Sequence, residues 1–111
     1  MTISWKIDEE MGVYPEDLLG NISLHDSMGR RLEESATFLD TFFLALATGL
    51  SVASDGGWSS VDIFDEPDPL QFSRNSERIT IKYKDASVEF EYRTVVSELI
   101  QSYRSLLQYL C

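Results

Sequence analysis

Between Arg31 and Arg74 the sequence has no lysine or arginine. Glu33, Glu34, Asp40, Asp55, Asp62, Asp65, Glu66 and Asp68 fall inside that gap, which therefore holds eight acids and no base. The remaining residues carry eleven acids against nine bases, so one segment supplies most of the net charge of −10. A field of one sign repels nucleic acid and steers basic partners. Cysteine is almost missing as well. Cys111 stands alone at the last position, which excludes an intramolecular disulfide and fits a reducing compartment. With His25 as the single histidine, a zinc set and a serine triad both lack ligands or bases. No basic stretch followed by an apolar run opens the sequence, so no secretory signal is read. The longest mostly apolar stretch, residues 42–53, is broken by Thr48, Gly49 and Ser51 and is too short to span a bilayer. The expectation is a cytoplasmic protein that binds neither membrane nor nucleic acid.

What is present suits a folded domain. A chain of 111 residues with 43% hydrophobic and 12% aromatic residues predicts a single domain, residues 1–111, that needs no metal or disulfide to hold its core. Ile3, Trp5 and Ile7 alternate with Ser4 and Lys6, the period of a strand. Residues 9–20 read as a loop, with a possible helical turn starting at Pro15. Residues 21–34 admit two readings: a hairpin turning at Asp26-Ser27-Met28-Gly29, or a strand followed by helix beginning at Arg30. Ser35 or Thr37 is placed to cap the next helix. Leu39, Phe42, Phe43, Leu46 and Leu50 give that helix one apolar face, with Phe38, Leu44 and Ala45 widening it. Its end falls near Gly49, or at Gly56-Gly57 if it runs on through Val52 and Ala53.

Strand character returns at residues 58–64 and at Leu70 and Phe72, separated by Glu66-Pro67-Asp68-Pro69, which cannot lie in a central strand. Residues 78–84 and 87–92 alternate as a hairpin. With Asp85-Ala86 as its loop, Tyr83 faces Val88, Ile81 faces Phe90, Ile79 faces Tyr92 and Lys82 meets Glu89. A last helix opens at Arg93 or Thr94, with Val96, Leu99, Ile100, Tyr103, Leu107 and Leu110 as its stripe and Val95 and Leu106 alongside. The predicted class is α+β: an antiparallel sheet of about four to five strands with two main helices packed on one face.

Catalytic and metal chemistry find no adequate residue set. His25 and Asp26 are adjacent in sequence, but neighbours in a strand point to opposite faces. A thiolate at a terminal Cys111 lacks a fixed electropositive pocket. Asp62, Asp65, Glu66 and Asp68 lack the glycine and the ligand spacing of a calcium loop. Gly56-Gly57 has no following lysine, so it is no phosphate loop. Arg78, Lys82 and Lys84 line one strand face, but Glu89 and Glu91 oppose them, unlike a nucleic-acid-binding stripe. No enzyme activity, metal or cofactor is expected.

The remaining feature is Asp55, Trp58, Asp62, Asp65, Glu66 and Asp68, with Phe64 among them. An aromatic anchor ringed by carboxylates suits a basic protein partner. The competing reading makes Trp58 and Phe64 core residues beside acids that only solubilise the surface. The order of Thr37-Phe38-Leu39-Asp40-Thr41-Phe42-Phe43-Leu44-Ala45-Leu46-Ala47-Thr48-Gly49-Leu50, Asp65-Glu66-Pro67-Asp68-Pro69-Leu70-Gln71-Phe72 and Ile79-Thr80-Ile81-Lys82-Tyr83 resembles the small acidic bacterial immunity proteins of toxin–immunity systems. That resemblance implies a stoichiometric, non-catalytic inhibitor that covers a basic surface of a cognate toxin, often a nuclease. The alternative expectation is a structural subunit or adaptor of an assembly, docking by its terminal helix or an edge strand, with self-association as one form of it.

Overall fold

The computed structural model describes residues 2–9, 18–54 and 57–110. Pro15, Asp55, Gly56 and Cys111 lie outside them, and so do the expectations attached to those four residues. The described residues form an α+β fold in the order β1 (Ile3–Ile7), β2 (Leu19–His25), β3 (Arg31–Phe38), α1 (Leu39–Ala53), β4 (Gly57–Val61), β5 (Leu70–Asn75), β6 (Arg78–Tyr83), β7 (Ala86–Glu91) and α2 (Tyr92–Leu110).

The strands make two antiparallel meanders, β1-β2-β3 and β4-β5-β6-β7, where one sheet of four to five strands was expected. Residues 21–34 resolve as a hairpin, whose first strand, β2, also pairs with β1. β3 and β7 lie side by side, but no ladder joins them. At that seam the Asp26 carboxylate accepts the Glu89 amide at 3.0 Å, taking the place of a strand carbonyl. The helices also divide their work. α1 packs mainly on β4 and β5, while α2 packs on β1 and β7.

Alternation builds the core as the sequence suggests. Ile3, Leu24 and Leu32 stand in one cross-strand row of the first sheet, all buried. Phe72, Ile81 and Val88 do the same in the second. The β6–β7 register differs by two residues from the expected one. Tyr83 pairs with Ala86, Ile81 with Val88, Ile79 with Phe90, Lys82 with Ser87, and Thr80, rather than Lys82, with Glu89. The loop is Lys84-Asp85, and Lys84 adopts φ +54°. Tight hairpins need such a left-handed residue. A two-residue shift keeps every side chain on its face, so alternation alone cannot detect it.

α1 begins without a side-chain cap, because Ser35 and Thr37 belong to β3 and Thr37 is buried opposite Gly20. Instead the Leu39 amide donates to the Leu18 carbonyl at 2.8 Å. Gly49 does not end the helix, which continues to Ala53. It is small because β5 crosses there: a Cβ on Gly49 would come within 1.9 Å of the Phe72 ring. At the far end of α1 the Arg74 guanidinium donates to the Ser54 carbonyl at 2.7 Å. That supplies a cation to a helix end whose last turn has no base of its own.

α2 corrects the expected stripe. Its buried residues are Val95, Leu99, Ser102 and Leu106, while Ile100, Tyr103 and Leu107 are exposed. Trp5 explains the rotation. Its indole donates to the Ser102 carbonyl at 3.2 Å and its ring meets Tyr109 edge-on at 5.7 Å, which turns the Ser102 side of α2 toward β1.

Candidate functional site

Three groups of acids meet three different fates. Asp26, in the β2–β3 turn, has a fully buried carboxylate. One oxygen accepts the amides of Met28 (3.0 Å) and Arg30 (2.9 Å), and the other accepts the Arg30 Nε (2.7 Å) and the Glu89 amide (3.0 Å). Burial pushes the Asp26 carboxyl up, but the Glu89 and Arg30 amides and the Arg30 guanidinium outweigh it and hold it below its ordinary value. This carboxylate joins the two sheets. His25 plays no part in it, its Nε2 lying 2.8 Å from the Ser23 hydroxyl.

Glu34 is the second case. The Tyr83 hydroxyl (2.6 Å) and the Lys84 ammonium (2.8 Å) both donate to its Oε1. Burial raises its carboxyl, and the hydrogen bonds from Lys84, Tyr83 and the Ser35 amide bring it below the ordinary range. The hydrogen bond to Glu34 raises Lys84 most, and the fields of Glu66 and Asp68 add to that. The charge field of the 62–69 connection therefore reaches the β6–β7 turn, where Lys84 is already held by Glu34.

The third case is that connection itself. Asp62 and Asp65 are exposed, and Glu66 and Asp68 are half-buried. Among the described residues none of the four forms an ion pair. Nor does any group of three or more potential ligands converge to hold a metal ion. The Glu66 amide donates to the Ile63 carbonyl at 3.1 Å, closing a turn whose central residues are Phe64 and Asp65. Asp65 takes φ +65°, as the third position of a type II turn requires. The turn leaves Phe64 70% exposed, with its ring 6.2 Å from that of Phe38 at the start of α1.

The six residues singled out from the sequence are thus not one cluster. Asp62, Asp65, Glu66 and Asp68 share the connection. Asp55 lies outside the described residues. Trp58 is 64% exposed, so it is no core residue, but it sits opposite Ser73, three residues before the connection begins after Val61. At strand rise that is about 10 Å away along β4. Phe64 is the aromatic the acids surround, and its position within Asp62-Ile63-Phe64-Asp65-Glu66 was the signal for it.

A second surface escaped the sequence. Between α1 and α2 lies a groove of about 280 Å³ lined by Asp40, Phe43, Leu44, Ala47, Ile100 and Tyr103 among others. Leu44 is 66% and Ile100 47% exposed. Both helices look amphipathic by spacing, but each has more apolar residues than one buried face can use.

No helix among the described residues is long and apolar enough to cross a membrane. Comparison with protein-family models, with curated proteins and with solved structures gives no significant match to this chain.

Proposed function

We propose that the protein acts by binding, without catalysis, and neutralises a basic protein partner in the manner of an immunity protein opposing a nuclease-type toxin. One observation carries this reading: the 62–69 connection presents Asp62, Asp65, Glu66 and Asp68 around an exposed Phe64, with no ion pair among the described residues to neutralise them. Carboxylates so placed accelerate encounter with a basic surface, and a protruding aromatic ring supplies short-range contact. Phe64 takes the anchoring role in this arrangement, and Trp58 extends the surface along β4. The site needs no cofactor or metal.

Recovery of the partner from the native host, followed by titration of its activity, tests the reading. A basic protein whose activity disappears at a one-to-one ratio is the expected result. A partner that is acidic, or whose activity survives saturation, contradicts it. The second reading is a subunit or adaptor of an assembly. It is favoured by the exposed side of α2, with Ile100, Tyr103 and Leu107. Sizing at several concentrations separates the two, because a self-assembling subunit grows with concentration.

A further inference from the structure

We propose that the groove between α1 and α2 is a docking site for a segment of a protein partner that inserts an apolar side chain and carries a basic one beside it. The inference depends on the reading above only in taking the partner to be basic.

α1 has one charged residue in its fifteen, Asp40. Its exposed side is Leu44, Ala47, Thr48, Ser51 and Val52, where a solvent-facing helix side ordinarily carries charge. Thr48 donates its hydroxyl to the Leu44 carbonyl at 2.8 Å, so its one donor is spent on the helix backbone. Across the groove, Ile100 and Tyr103 continue the apolar surface on α2. At about 280 Å³ the groove falls just under the 300–1,000 Å³ usual for small-molecule sites. That size suits a side-chain anchor from a protein segment better than a cofactor.

Asp40 defines the chemistry of the occupant. It is the one charged residue that lines the groove, and it is half-buried there. A lysine or arginine beside an apolar anchor complements that carboxylate, as it does the negative charge of the whole chain. A second copy is the poorer occupant, since it brings another Asp40 and another net charge of −10.

The test uses the full chain, methyl-labelled for NMR, and a synthetic helical peptide with a leucine stripe flanked by lysines. Saturable shifts at Leu44, Ala47 and Ile100 are expected. Replacing the peptide's lysines by glutamates, or its leucines by serines, should weaken binding about tenfold or more. In the protein, L44S/I100S should cost a similar factor. Both positions are exposed, so the fold is retained, and Ala47→Glu serves as a second groove variant. Asp40→Asn should weaken binding about fivefold, whereas D62N/D65N/E66Q/D68N should leave the shifts at the groove.

Lack of saturable groove shifts at about 1 mM peptide overturns the proposal. So does a concentration-dependent dimer that L44S/I100S abolishes. Shielding of the Leu44 and Ile100 methyls from a soluble spin probe in the free monomer has the same effect, because the chain itself would then fill the groove. Peptide binding lost in the D62N/D65N/E66Q/D68N variant but kept in the groove variants removes the groove and leaves the basic-partner reading standing. Binding at neither place counts against both.

Discussion

Asp26 and Asp65 are the same side chain in opposite settings. Asp26 is buried at the seam between the two sheets and accepts four hydrogen bonds, three of them from backbone amides. Asp65 is exposed on a turn, forms no ion pair among the described residues, and holds a backbone angle that glycine would hold with less strain. The first acid contributes to stability through its partners. The second contributes a field and costs conformational energy. Acid count does not separate these roles, but the hydrogen-bond partners do.

The largest expected effect is at Asp26. Asp26→Ala leaves the Glu89 and Arg30 amides without their acceptor and should cost about 3 kcal/mol in chemical denaturation. A loss under about 1 kcal/mol would mean that water replaces the carboxylate at the seam and that the contrast with Asp65 is overdrawn. Glu34 should fall between. Glu34→Ala removes the acceptor of Tyr83 and Lys84, for about 1–2 kcal/mol.

The pH dependence has a definite sign. Both carboxyls lie below their ordinary values in the folded protein. Their stabilisation is therefore complete above the unfolded-state values, near pH 4, and is lost as pH falls further through the folded ones. Melting curves of Asp26→Asn should show a shallower decline below about pH 4 than those of the parent. An unchanged acid slope would remove Asp26 from the account.

Smaller effects belong to the turn. Asp65→Val places a β-branched residue at positive φ and should cost about 1–2 kcal/mol, while Asp65→Gly should change stability by less than about 0.5 kcal/mol. Equal losses for both would show that the Asp65 side chain, and not its backbone, supports the turn. Smallest of all, D62N/D65N/E66Q/D68N should alter stability by no more than about 0.5 kcal/mol, because none of the four forms an ion pair among the described residues.

Much of the fold was legible in the residues, for reasons that are local. Ile79, Ile81 and Tyr83 alternate, as do Leu70 and Phe72, and all five are buried. The α1 stripe of Leu39, Phe42, Phe43, Leu46 and Leu50 is buried as expected. The missed features depend on neighbours distant in sequence. Nothing near Asp26 announces Glu89, 63 residues away, so one sheet was expected where two meet at a carboxylate. Nothing in α2 announces Trp5, which turns Ser102 inward and leaves Ile100 and Tyr103 outside. Gly49 left the end of α1 open between that residue and a run on through Val52 and Ala53, because the Phe72 ring that requires a glycine there lies on another strand. Of the proposed site, the four acids of the connection stood out from charge alone, whereas proposing Phe64 rather than Trp58 as the anchor rests on the turn at Asp65.

The proposed function requires that the field of the 62–69 connection drive association with a basic partner. Stopped-flow association of the recovered partner with the parent chain and with D62N/D65N/E66Q/D68N, across a salt series, measures it directly. The parent rate should fall steeply with salt, and the variant should associate about ten- to a hundredfold more slowly at low salt with a much flatter dependence. Coincident salt curves for the two proteins would contradict the claim and move the interface elsewhere on the molecule.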